Sequence, residues 1–298
     1  MSKPLVSVIT ITRNRGKLLG RCIASVLGQT YENIEYFVVD GASEDNTDEV
    51  VSSFQDNRLK YVKLETNWPI KETIDYGISL CKGKYISFLD SDDEYLPQKI
   101  EKQVRLIESL PEEYGFVYCW MSYYDSITGN LLSIHNPELR GFVPDEVVGT
   151  STISGTPSLL FRAESLRELG GWKSPEEIGI ISDWELCARA CQKYKIDYIA
   201  ESLINVYVNH CFTRQSQIAY YGNKVDKFIV FHEYMLNTYK GVFLRHHKYG
   251  REHYLMLTRF YSIEKKRRKA LFYYKMYLKT LPPLFAVFKP LAGIILCK

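Results

Sequence analysis

The chain has 298 residues, enough for one large core or for one catalytic domain with an appendage. Apolar residues at 46% and charged ones at 24% are ordinary for a soluble globular protein. The seven Cys are odd in number and lack the close pairs of structural zinc sites, so buried reduced thiols are expected rather than a disulfide or zinc scaffold. Net charge is only +3 but unevenly placed. Residues 240–298 hold 14 Lys and Arg against two acids, a net of +12, which leaves −9 for residues 1–239. An acidic body with a basic tail bears on partners rather than on fold.

Met1-Ser2-Lys3-Pro4 runs straight into a β-branched stretch, so no signal peptide is expected. Leu5 to Ile11 predicts a strand, and the polar turn from Thr12 to Gly16 leads into apolar residues at helical spacing through Leu27. Ile34 to Val39 predicts a second strand ending on Asp40, followed by a turn and a helix near Asp48 to Phe54. Leu59 to Leu64 predicts a strand, Ile70 to Leu80 a helix, and Tyr85 to Leu89 a strand opening onto Asp90-Ser91-Asp92-Asp93. Pro97 suits the first turn of a helix running to about Leu110. This alternation predicts βαβ units and a mostly parallel sheet buried on both faces. In such sheets ligands bind beyond the carboxyl ends of the strands. Thr12 to Arg15, Asp40 to Thr47 and Asp90 to Glu94 are therefore placed on one edge.

From about Tyr114 the alternation breaks down. Phe116 to Trp120 and Pro157 to Phe161 predict strands, Ser182 to Tyr194 a helix, and Tyr198 to Val208 an extended stretch. This half is read as a cover that supplies the pocket of a second substrate.

Two carboxylates at i, i+2 on a strand-end turn, Asp90 and Asp92, suit a hard divalent cation that leaves positions for phosphate oxygens. A metal there neutralises a departing diphosphate. The plain alternative is an acidic helix entry, the reading kept for Asp93 and Glu94. Asp40 is placed to accept an N–H from a nucleotide base, with turn capping as its alternative. Thr12, Arg13 and Asn14 present donors to the base, unless they only start a helix. Lys71, Glu72 and Asp75 face the same edge if Ile70 begins a helix, and Lys71 is taken with the donor-binding set alongside Ser91.

Three runs carry a resemblance to glycosyltransferase family 2, the inverting group with the GT-A fold. The first is Ser7-Val8-Ile9-Thr10-Ile11-Thr12-Arg13-Asn14-Arg15, where Ile11 and Arg13 replace the family's usual proline and tyrosine. The second is Gln29 to Glu35 leading to Val39-Asp40-Gly41-Ala42-Ser43-Glu44-Asp45-Asn46-Thr47, with Asp40-Gly41 where many members have two aspartates. The third is Gly83-Lys84-Tyr85-Ile86-Ser87-Phe88-Leu89-Asp90-Ser91-Asp92-Asp93. The resemblance implies an α/β fold of GT-A type: a Rossmann-like, mostly parallel sheet flanked by helices, here with a C-terminal helical appendage. It implies a nucleotide-sugar-binding half at 1–110, an acceptor-binding half at 111–239, and a basic amphipathic tail at 240–298.

Ser182-Asp183-Trp184-Glu185-Leu186 stands where the family has a Glu-Asp pair followed by an aromatic. Asp183 matches the acid that deprotonates the acceptor hydroxyl, and a carboxylate at a helix start is well placed as such a base. An N-cap aspartate is the alternative. Trp184 and Glu185 are expected beside the acceptor. His210, in Tyr207-Val208-Asn209-His210, resembles the late histidine that approaches the metal or diphosphate; a structural histidine is the alternative. The Gln-x-x-Arg-Trp motif of processive members does not follow Gln215 or Gln217, which argues for one sugar per encounter.

The expected activity is transfer from a nucleotide-sugar, a UDP-sugar first, to a glycan or polyprenyl-linked acceptor of a bacterial surface polysaccharide, with Mn²⁺ or Mg²⁺. Rival readings are a nucleotidyltransferase, a Mg-dependent phosphohydrolase, or an inactive sugar-nucleotide-binding module. In the tail, basic and aromatic residues precede apolar patches broken by Lys289 and prolines. That pattern predicts a segment lying on the cytoplasmic membrane surface of a cytoplasmic protein, rather than a span or a nucleic-acid site, with a solvated helical appendage packed on the core as the alternative.

Overall fold

A computed structural model describes residues 3–153, 155–172, 182–209 and 225–281. The chain divides into two compact units: Met1–Val143 with Ile153–Lys173 and Arg189–Phe212, and Pro144–Thr152 with Ser174–Ala188 and Thr213–Lys298.

The first unit is built on a sheet that begins as the sequence predicts. β1 (Val6–Thr12), β2 (Ile34–Asp40), β3 (Leu59–Lys63) and β4 (Tyr85–Phe88) lie in the order β3-β2-β1-β4, all parallel. The apolar runs of β1, β2 and β4 are buried on both faces, which is why they read as continuous rather than alternating. The connecting helices are α1 (Gly16–Leu27), α2 (Thr47–Ser52) and α3 (Ile70–Leu80). α1 buries Leu19, Cys22, Ile23 and Val26, a stripe at i, i+3, i+4 and i+7. α3 comes so close to the sheet that a Cβ on Gly77 would lie 2.9 Å from Ile9 Cγ2.

Glu35 fastens the opposite end of this block. Its Oε1 accepts from Ser7 Oγ at 2.6 Å and from the Lys82 and Gly83 N–H groups at 2.6 and 3.1 Å, while Lys60 Nζ donates to Oε2 at 3.0 Å. Burial alone would raise this carboxyl, but these donors outweigh it and hold the pKa below its ordinary value.

Beyond β4 the sheet departs from simple alternation. β5 (Glu94–Tyr95) is followed by α4 (Lys99–Ser109), β6 (Tyr114–Asp125) and β7 (Leu131–His135). β8 (Leu160–Arg162) and β9 (Lys195–Val208) complete the sheet, which continues β4-β8-β6-β9-β5 with β7 against β6. β8 is antiparallel to both β4 and β6, and β6 is parallel to β9. β6 runs well past the expected Phe116 to Trp120, β9 begins earlier, at Lys195, and ends at Val208 as expected, and β7 has no counterpart among the expected strands.

Asp93 and Glu94 are not helix-entry charges. The chain passes from them into β5, which pairs with β9, and α4 begins only at Lys99. The ladder offered by β9 and the side chains of Asn205 and Tyr207 outbid a helix start at this point.

The second unit is helical in its described residues: α5 (Pro144–Gly149), most of α7 (Ser182–Cys191), α8 (Val225–Thr238), α9 (Lys240–Arg245), α10 (Arg251–Ile263) and α11 (Arg267–Lys279). The short α6 (Ala163–Glu168) belongs to the first unit. One core of the second unit gathers Val225, Phe228 and Ile229 of α8, Leu257, Phe260 and Tyr261 of α10, and Ala270 of α11.

Candidate functional site

The parallel register sets the three polar segments on one edge of the first unit. Thr12 ends β1 opposite Asp40, the last residue of β2, and Phe88 lies opposite Ile9 so that β4 opens onto Asp90 just beyond. The loops after β1 and β2 are knitted together. Asn14, at φ +51°, donates its N–H to Ser43 Oγ at 2.8 Å and accepts from the Glu44 N–H at 2.8 Å, and the Gly16 N–H reaches Asp45 Oδ2 at 3.0 Å. A Cβ on Gly16 would lie 2.4 Å from Asn46 Oδ1 and 3.1 Å from the Asn46 carbonyl carbon, so a side chain there would force Asn46 to move. Arg13 is exposed at the tip of this loop.

Asp40 is fully buried. One oxygen accepts from the N–H and the hydroxyl of Ser43 at 3.1 and 2.5 Å, and the other accepts from the Tyr61 hydroxyl at 2.6 Å. Three of the roughly four acceptor positions of a carboxylate are thus filled. Tyr61 also contacts Asp48, and burial together with the two carboxylates pushes its pKa far above the ordinary value. Thr12 is different: its Oγ1 is buried and has no hydrogen-bond partner among the described residues. A buried hydroxyl left unpaired costs free energy, so a partner that arrives with a ligand gains from it.

The acidic cluster brings ligand-type oxygens of Asp90, Asp92 and Asp93 within 4.8 Å of one another. An all-carboxylate set of this kind fits a hard divalent ion such as Mg²⁺ or Mn²⁺. The three acids are not equivalent. Asp90 is exposed, whereas Ser91, Asp92 and Asp93 are buried. Asp92 Oδ2 pairs with Arg15 at 2.8 Å, and its carbonyl accepts from Arg21 at 2.8 Å. Asp93 Oδ1 accepts the Tyr207 N–H at 3.1 Å, and Arg21 lies 3.5 Å over the Tyr207 ring. Sequence reasoning assigns Arg15 and Arg21 no role. The available signal is two cations near the start of α1, on the edge where the acids collect.

Lys71 stands in the first turn of α3, and the preceding loop reaches the same edge, since a Cβ on Gly41 would meet Asn67 Oδ1 at 3.1 Å. Asp75 is engaged elsewhere, where its Oδ1 accepts the Trp172 N–H at 2.6 Å. Trp172 in turn packs edge-on against Phe88 at 5.0 Å, bracing the end of β4.

In the second unit Asp183 lies in the first turn of α7, half-buried, and accepts the Trp184 N–H at 2.9 Å. Burial raises its carboxyl pKa, although backbone hydrogen bonds oppose the shift. Trp184 is buried, donates its indole N–H to Val147 O at 2.7 Å and stacks on His253 at 4.8 Å. Glu185 is buried as well. His210 lies outside the described residues, as do Gln215 and Gln217.

The family model described as "Glycosyl transferase family 2" matches residues 7–170, more than half the chain and all of the edge described above. The chain belongs to glycosyltransferase family 2. Its similarity extends to an uncharacterized glycosyltransferase of Methanocaldococcus jannaschii, 29% identical over 210 residues that cover 68% of this chain and 71% of that one. It is also similar to the glycosyltransferase GlyG of Streptococcus pneumoniae, 37% identical over 129 residues, 42% of each chain. It therefore spans under half of that relative. Among solved structures, S. aureus TarS 1-349 in complex with UDP-GlcNAc superposes with a TM-score of 0.67 at 18% identity, covering 93% of this chain and 82% of TarS 1-349. The mannosyltransferase of Pyrobaculum calidifontis in complex with GDP-Man and Mn²⁺ superposes with a TM-score of 0.57 at 16% identity, covering 80% and 65%. The family 2 chain thus has the GT-A fold, and its activity class is that of a transferase.

Proposed function

We propose that this family 2 chain is an inverting, non-processive glycosyltransferase that takes a sugar from a nucleotide-sugar, a UDP-sugar first, to a hydroxyl of a glycan or polyprenyl-linked acceptor in bacterial surface polysaccharide synthesis. The observation that carries the donor reading is the edge where a buried Thr12 hydroxyl with no partner among the described residues and the last acceptor position of Asp40 share the strand ends with the Asp90–Asp93 cluster. UDP-GlcNAc in TarS and GDP-Man in the archaeal mannosyltransferase support a nucleotide-sugar here.

In this reading Thr12, Arg13, Asn14 and Asp40 hold the nucleoside, with Ser91 and Lys71 toward the phosphates. Asp90 and Asp92 would hold Mn²⁺ or Mg²⁺, with His210 as a further ligand, and the ion would supply positive charge to offset that of the leaving diphosphate. Arg15 keeps the Asp92 carboxylate oriented while adding a positive charge beside the phosphates. Asp183 is the base. It accepts the proton of the acceptor hydroxyl as that oxygen bonds to the anomeric carbon from the face opposite the phosphate. The bond from that carbon to the phosphate oxygen breaks, and the nucleoside diphosphate departs with the electron pair. Trp184 and Glu185 shape the acceptor side from within α7. The catalytic residues all fall within residues 1–239, and the basic residues of 240–298 keep the enzyme peripheral on the cytoplasmic membrane surface.

Nucleoside diphosphate release across a panel of UDP-, dTDP- and GDP-sugars with Mn²⁺ or Mg²⁺ tests the reaction, and pyrophosphate release instead would sink it. Asp183→Asn should keep donor affinity and lose about 10²–10⁴ in kcat, the usual worth of a positioned base. Full activity in that variant would remove Asp183 from the mechanism.

A further inference from the structure

The hairpin of α10 and α11 presents a surface that contains none of the residues assigned to the transfer reaction above. On α10 the residues Arg251, Leu255, Arg259 and Ile263 recur every fourth position and are all exposed, Leu255 at 40% and Ile263 at 54%. That spacing sets basic and aliphatic side chains alternately along one side of the helix. On α11 the residues Arg268, Leu271, Phe272, Lys275 and Lys279 also share one side, with Leu271 41% and Phe272 57% exposed. Ala270 and Tyr277 point the other way and are buried. Both stripes are the sides turned from the core around Phe228, Phe260 and Tyr261. Arg251 closes the open end of the hairpin by donating to Thr280 O at 2.8 Å.

Charge on the hairpin is strongly one-sided. Residues 251–279 contain nine Lys and Arg and only two acids, Glu252 and Glu264. Glu264 is paired with Lys266, and Arg268, Lys275 and Lys279 make no ion pair with another described residue.

We propose that this face of the α10–α11 hairpin docks on an anionic lipid bilayer. Leu255, Ile263, Leu271 and Phe272 enter the boundary between headgroups and acyl chains, and the arginines and lysines beside them reach the lipid phosphates with their stems along the same apolar layer. A nucleic acid would use the cations, but it gains nothing from exposed Leu and Ile, which offer neither charge nor a ring for a base to stack on. Four apolar side chains without a lipid anchor give reversible attachment, so binding needs both the apolar and the cationic part and weakens as salt rises.

This inference specifies the surface behind the peripheral location proposed above, and it is read without any sugar transfer. The experiment is flotation of the full chain with phosphatidylcholine vesicles, with and without phosphatidylglycerol, over a salt series. The wild type should float with the phosphatidylglycerol vesicles at low salt and stay behind with phosphatidylcholine alone. Leu271→Ser with Phe272→Ser should lower partition about tenfold or more on this footing. Arg268→Gln with Lys275→Gln should lower it similarly at low salt and flatten the salt dependence. Both variants should keep the wild-type melting temperature and nucleoside diphosphate release, because all four residues are exposed and outside the catalytic set. Equal flotation of variants and wild type would overturn the assignment, including the case in which another part of the chain makes the contact. So would absence of flotation, or displacement of the chain from anionic vesicles by duplex DNA at matched phosphate.

Discussion

Thr12 carries the sharpest residue-scale consequence, because its Oγ1 is buried at the end of β1 with no partner among the described residues. In the free protein that hydroxyl is a liability, and in a complex it becomes a ready donor or acceptor. Thr12→Val keeps the shape and removes the group. It should leave the melting temperature unchanged or raise stability by about 1 kcal/mol, while weakening nucleoside diphosphate binding about tenfold, as read by calorimetric titration. Equal weakening of fold and binding would mean that the threonine serves packing alone. Asp183 supplies the pH signature at this scale. Only its ionised form accepts a proton, and burial raises its pKa. The rate should therefore fall as pH drops through that raised value, with the acid limb above the ordinary aspartate range near about 3.9. Asp183→Asn should abolish the limb.

At the scale of elements, the turn after α6 governs how the end of β4 is held. Gly170 and Gly171 take φ of +82° and +69°, and the Gly171 N–H closes onto Leu166 O at 2.9 Å. A side chain at Gly171 would be strained by that backbone, and its Cβ would sit 2.6 Å from Asp75 Oδ1. Gly171→Ala should thus displace the Asp75 carboxylate from the Trp172 N–H and loosen Trp172 against Phe88. Its expected cost is about 2–4 kcal/mol, from backbone strain plus an unpaired buried donor, seen as a lower denaturant midpoint. Wild-type stability in this variant would show that the turn adapts without moving Asp75. The neighbouring acids teach a related lesson, since Asp93 and Glu94 serve strand pairing with β9 instead of a helix dipole.

At the scale of the whole molecule, the helical second unit has its own acid weakness. His253 Nε2 faces the carbonyl of Val148 at 2.8 Å, so this nitrogen carries the proton, and Nδ1 must accept from His232 Nδ1–H at 2.9 Å. Both rings are buried and neutral. Burial lowers the His253 pKa to about 4 and, together with the His253 ring, lowers that of His232 well below its ordinary value. An unfolded histidine titrates near about 6.5, so the unfolded state binds more protons than the folded one below that pH. The contribution is fully present above about pH 6.5 and is lost as pH falls toward the folded value near 4. Trp184 stacks on His253 and reports the change. Its near-ultraviolet signal should melt at progressively lower temperature across this window, earlier than the far-ultraviolet signal of the sheet. A Trp184 transition that ignores pH over that interval would refute the assignment. Among the described residues no helix is long and apolar enough to cross a membrane.

What the sequence determined by itself was local and periodic. Continuous β-branched runs separated by amphipathic helices require a parallel block buried on both faces. Such a block gathers the carboxyl ends of β1, β2 and β4, so Thr12, Asp40 and Asp90 came to one edge without knowledge of any contact. Only tertiary structure decided what depends on partners far apart in the chain. Tyr207 meets Glu94 across 113 residues, which turned a supposed helix entry into a strand. Lys99, in the first turn of α4, is wholly buried with its Nζ on Ser87 Oγ and over the Tyr95 ring, and desolvation lowers its pKa to about 7. The indole of Trp184 packs against Phe231, His232 and His253, all distant from it in the chain. Periodicity says which side of an element is apolar, whereas the identity of the group that meets it is set by packing between distant segments.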